Sequence, residues 1–70
     1  MYRTRLWTLY ADLSPAALQL MAAQAGAPYP SVTAGAWSSV SGLGDPDQAP
    51  AWMIRLRDRL AAEGIAHDLD

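Results

Sequence analysis

Seventy residues with 51% apolar content, 17% charged residues and a net charge of −2 describe one small globular domain, residues 1–70. The chain has no Cys, no Lys, one Glu and the single imidazole of His67, which rules out disulfides and leaves zinc without a ligand set. No apolar run approaches the eighteen or so residues that span a bilayer, and the acidic balance does not favour nucleic acid or an anionic membrane as partner.

Tyr2 to Ala11 predicts a strand, rich in Thr, Tyr, Trp and Leu and free of Gly and Pro. Alternation sets Arg3, Arg5, Trp7, Leu9 and Ala11 on one face and Tyr2, Thr4, Leu6, Thr8 and Tyr10 on the other. Neither face is wholly polar, as expected of a sheet covered on one side and partly covered on the other. Ser14-Pro15 opens a helix, with Ser14 as cap and Pro15 at the first position, where no amide is needed. That helix stops at Gly26, turns Leu18, Met21, Ala22 and Ala25 to one face, and carries no charge between Pro15 and Gly26. Pro28-Tyr29-Pro30 is an extended connector.

Val32 to Ser41 predicts a weak second strand of small residues, with Gly35 marking either a bulge or the turn of a hairpin. Gly42 to Pro46 reads as a loop. A second helix follows, capped by Asp47, with Pro50 in its first turn, and it runs to a stop at Gly64. Trp52, Met53, Leu56 and Leu60 form its apolar stripe, flanked by Arg55 and Arg59. Ile65 to Asp70 alternates as a short edge strand. The order β-α-β-α-β predicts an α/β or α+β two-layer sandwich, with a three-stranded sheet and two helices on one face. Trp7, Trp37 and Trp52 are expected to form the core, and Tyr2, Tyr10 and Tyr29 to be half exposed.

Reactive groups are scarce. Neighbours on a strand face opposite ways, so Asp68 is badly placed to orient His67 as a general base. Ser38, Ser39 and Ser41 lack a nucleophile elbow. Gly42-Leu43-Gly44-Asp45 lacks the remaining residues of a phosphate loop. Asp45, Asp47, Asp68 and Asp70 lack a calcium-loop pattern. The expectation is a protein that is not an enzyme and holds neither cofactor nor metal.

All five cations are Arg, a residue enriched with Trp and Tyr at protein interfaces, although a GC-rich gene also explains Arg without Lys. Arg3, Arg5, Tyr29, Arg55 and Arg59 are the candidate partner-binding residues, along with the uncharged first helix. The leading expectation is a non-enzymatic module that binds a larger protein or complex in the cytoplasm. Class frequency extends this to an inhibitor encoded by a bacterial phage or mobile element and aimed at a host complex, such as a CRISPR effector or other defence system. Alternatives are an Arg-mediated nucleic-acid accessory protein and a self-assembling homo-oligomeric subunit.

Overall fold

The computed structural model describes residues 3–70. The start of the first predicted strand, including Tyr2, lies outside those residues. The elements are β1 (Arg5–Ala11), α1 (Pro15–Gln24), β2 (Val32–Thr33), β3 (Ser38–Gly44), α2 (Ala51–Ala62) and β4 (His67–Leu69). The sheet has the order β2-β3-β1-β4, and every neighbouring pair is antiparallel. The domain is therefore α+β, with four strands where the sequence reading expects three. Its element order is that of the split β-α-β, or ferredoxin-like, plan. Among the described residues no helix is long and apolar enough to cross a membrane.

The additional strand comes from residues 32–41. They do not form one strand but most of a hairpin: β2 pairs Val32 with Val40 and Thr33 with Ser39, and residues 34–37 turn between the strands. The expected Gly42–Pro46 loop is also corrected, because Gly42, Leu43 and Gly44 continue β3 and pair with Trp7, Leu6 and Arg5. The reason is spatial. A Cβ on Gly42 would lie 2.6 Å from Cζ2 of Trp52, and one on Gly44 would lie 2.8 Å from both the Gln48 carbonyl oxygen and Cδ of Pro50. Glycine removes the side chains that would keep the start of α2 off the sheet.

Both helices end as their glycines predict. Ser14 Oγ accepts the Ala17 amide at 3.2 Å to open α1. Gly26 at φ 103° closes it, with Gly26 N–H donating to the Ala23 carbonyl and Ala27 N–H to that of Ala22. Gly64 at φ 71° closes α2 in the same way, through Gly64 N–H to Ala61 and Ile65 N–H to Leu60. Both are Schellman motifs, in which a left-handed residue satisfies carbonyls left over at the helix end. The expected Asp47 cap is not made. Pro50 takes the N-cap position at φ −59° and ψ 148°, without a side-chain bond. Asp47 lies upstream, in the turn closed by Gln48 N–H on the Asp45 carbonyl at 3.3 Å.

One face of the sheet carries the core. Leu9, Ala11 and Val40 meet Leu18, Met21 and Ala22 of α1 and Met53, Leu56 and Leu60 of α2. Ser38 is the one buried polar residue among those described, and its hydroxyl donates to the Leu13 carbonyl at 2.9 Å. The three tryptophans are not the core. Trp7 and Trp52 lie half-buried at its edge, and Trp37 is exposed in the loop before β3. Two helices of ten and twelve residues cover the inner end of the sheet with Leu, Met and Ala, so the bulky rings are left to its periphery.

Candidate partner-binding surface

The face of the sheet opposite the helices is open. Alternation from buried Leu9 and Ala11 sends Leu6, Thr8 and Tyr10 outward, and alternation from Ser38 and Val40 sends Ser39, Ser41 and Leu43 outward. Leu6 pairs directly with Leu43, and they are 61% and 67% exposed. Next to them Thr8 pairs with Ser41, with their hydroxyl oxygens 3.0 Å apart. The next row crosses all four strands: Thr33, Ser39, Tyr10 and Asp68. Asp70 extends β4 beside Thr8 through two backbone hydrogen bonds of 2.9 Å. The face thus runs from an aliphatic pair, through hydroxyls, to a row holding one aromatic ring and one acid.

The β2–β3 loop builds a wall at that last row. Ala34, Gly35, Ala36 and Trp37, with Tyr10, Thr33 and Ser39, line an open hollow of about 640 Å³. Tyr10 and Trp37 are both partly exposed there, and none of the lining side chains is charged.

Three of the four Arg candidates, Arg5, Arg55 and Arg59, have partners within the chain. Arg55 Nε donates to the Ala25 carbonyl at 2.9 Å, at the C-terminus of α1. Arg59 donates to Gln24 Oε1 at 2.6 Å and to Glu63 Oε2 at 2.9 Å. α1 has no basic residue in its last turn, so these side chains of α2 supply the cations that favour a helix C-terminus. Arg5 lies over the Trp7 ring, 3.7 Å from its centroid, and 3.9 Å from an Asp70 carboxylate oxygen. Trp7 Nε1 in turn donates to the Asp45 carbonyl at 2.8 Å. Arg3 is exposed before β1. Tyr29 is 93% exposed between its two prolines, and Leu20 of α1 is exposed as well.

His67 and Asp68 point to opposite sides of β4. His67 Nδ1 is 2.8 Å from the carbonyl oxygen of Ile65, in the connection just before β4. Among the described residues no three His, Cys, Asp or Glu side chains are grouped to hold a metal.

Sequence reasoning missed this outward face as a site. Half of its signal was readable in the alternation Leu6-Thr8-Tyr10. The other half, Leu43, was hidden because Gly42 and Gly44 on either side read as loop. No protein-family model matches the chain, and neither a curated protein nor a solved structure matches it significantly.

Proposed function

We propose that the protein is a non-enzymatic binding module that docks on a larger protein through the open face of its sheet. The observation that carries this reading is the Leu6–Leu43 pair, two large aliphatic side chains side by side on a face that neither helix covers. Burying a Leu side chain is worth ~1.5–3 kcal/mol, so two part-exposed ones supply roughly 2–4 kcal/mol. That falls short of the ~4–15 kcal/mol cost of association. A stable complex therefore needs the rest of the face as well: Tyr10, Trp37 and the hydroxyl row. A four-stranded face with an apolar end and an aromatic hollow offers such a surface.

Occupying a partner's surface is all that an inhibitor requires. Blockade of a larger host complex, a defence complex among them, is accordingly the activity we propose for the module. The nucleic-acid alternative is less well supported. RNA-binding four-stranded sheets of this order stack bases on aromatics in their central strands. Here the outward positions of β1 and β3 hold one aromatic ring, Tyr10, and the flanking edge holds Asp68 of β4 and Asp70 just after it. A self-assembling subunit would use the same open face, and light scattering separates that outcome from docking on a different protein.

The test is capture from the native host with three proteins: wild type, the Leu6→Thr/Leu43→Thr variant and an Asp58→Ala control on the outer side of α2. The expected result is a protein retained by wild type and control and lost by the double variant. Equal capture by all three, or none by any, refutes the reading.

A further inference from the structure

We propose that a second copy of this chain pairs with the open edge of β1, antiparallel about a two-fold axis at Leu6, and joins the two sheets into one. Backbone bonds fix which groups face that edge. Thr8 and Asp70 exchange N–H···O bonds of 2.9 Å, and Asp12 N–H donates to the Ala66 carbonyl at 2.9 Å. The even-numbered residues of β1 therefore turn their backbone groups to the β4 side, and the odd-numbered ones turn theirs to β3. β4 covers Leu9, Tyr10 and Ala11, with Asp70 beside Thr8, whereas β1 begins at Arg5. Along Arg5, Leu6 and Trp7 the edge is open. There the Leu6 N–H and C=O face away from β3 and meet no strand among the described residues. The opposite edge is guarded, because Pro28 and Pro30 precede β2 and proline has no N–H to offer a ladder. The open length of β1 has no proline. Its one charge, Arg5, is already engaged by the Trp7 ring and Asp70.

The occupant follows from self-complementarity. A strand residue that turns both its N–H and its C=O outward can exchange both bonds with the same residue of a copy across a two-fold axis. With Leu6 on the axis, Arg5 stands opposite Trp7 of the copy, one place along from the copy's Asp70, so the cation of each chain comes beside the acid of the other. The two chains leave the ladder before Arg5, where β1 itself begins and where Asp70 holds the next place, beside Thr8. On the outward face Leu6 and Leu43 of one copy continue into Leu6 and Leu43 of the other, a single aliphatic row across both sheets. A contact this short belongs with the weak interfaces that bury less than about 1,200 Å², so the dimer forms and dissociates with concentration. It uses the strand edge and leaves the open face free for docking.

The experiment is sedimentation equilibrium of the purified chain from micromolar to millimolar concentration, with NMR hydrogen exchange of the Leu6 amide over the same range. Wild type is expected to show a monomer–dimer equilibrium, and exchange at Leu6 to slow as the dimer forms. Leu6→Lys and Leu6→Glu each set like charges opposite one another at the axis and should weaken self-association about ten-fold. Mixed in equal amounts, these two variants should associate about as tightly as wild type. Leu43→Thr, on the other strand of the open face, should leave self-association unchanged. A monomer throughout, no rescue in the mixture, an unprotected Leu6 amide in the dimer, or loss of the dimer in Leu43→Thr would each overturn the proposal. The docking reading fails separately. If the chain stays monomeric while Leu6→Thr/Leu43→Thr still loses its partner, only the edge pairing falls. If the dimer forms and that variant keeps its partner, the edge pairing stands and the docking face falls.

Discussion

Gly42→Ala tests whether the close seating of α2 on β3 determines the fold. The new methyl would lie 2.6 Å from Cζ2 of Trp52 and 3.4 Å from Cγ of Pro50. The second distance is ordinary contact, but the first forces the half-buried indole to move back by roughly 1 Å, at an overpacking cost of ~1–3 kcal/mol. Restricting the unfolded chain returns ~0.4–1 kcal/mol. The net loss is about 1–2 kcal/mol, a large share of the ~3–5 kcal/mol that a domain of this size commands. In a Trp52→Ala background the obstruction is gone, so Gly42→Ala should be neutral or slightly stabilising, a coupling of about 2 kcal/mol. Urea unfolding followed by far-UV circular dichroism reads all four proteins without relying on Trp52 fluorescence. Gly44→Ala is the contrast: its methyl meets backbone, the Gln48 carbonyl oxygen at 2.8 Å and the Pro50 nitrogen at 3.0 Å, so Trp52→Ala should not rescue it. An equal cost of Gly42→Ala in both backgrounds would refute the reasoning.

The remaining expectations follow from named contacts. Leu56→Ala or Leu60→Ala removes a fully buried side chain at ~2–5 kcal/mol, so either variant should lose its cooperative thermal transition near room temperature. Arg55→Ala should cost about 1 kcal/mol in urea unfolding, because it leaves the Ala25 carbonyl and the α1 C-terminus without their cation. The Leu6→Thr/Leu43→Thr variant keeps β-forming residues at exposed positions, so its unfolding midpoint should stay close to that of wild type. Tyr29→Ala should leave stability unchanged, since that ring is almost wholly exposed; loss of partner capture by this variant would add the Pro28–Pro30 connector to the interface.

The helices were legible in the sequence because their signals are local. Ser14-Pro15 opens α1, Gly26 and Gly64 close both helices, and the apolar spacing of Met53, Leu56 and Leu60 marks the buried stripe. The sheet was half legible, because strand pairing depends on residues far apart in the chain. Gly42 and Gly44 look like loop residues until Trp52 and Pro50 are set against them. The same long-range packing explains the tryptophans: nothing in the neighbourhood of Trp37 shows that the hairpin turns it outward. Of the expected site residues, Arg55 and Arg59 showed in the sequence only local pairing partners such as Glu63; their contacts with Ala25 and Gln24 were hidden because those residues lie thirty or more positions away. Leu6 and Leu43 carried no site signal separately. Pairing across β1 and β3 makes them one surface.

Photo-crosslinking in the native host tests docking through the sheet most directly, with the reactive side chain placed in turn at Leu43, on the open face, and at Asp58, behind the helices. We expect one strong adduct from position 43, with a protein larger than this chain, and none of that mass from position 58. Matching adducts from both positions, or an adduct from position 58 alone, would contradict it.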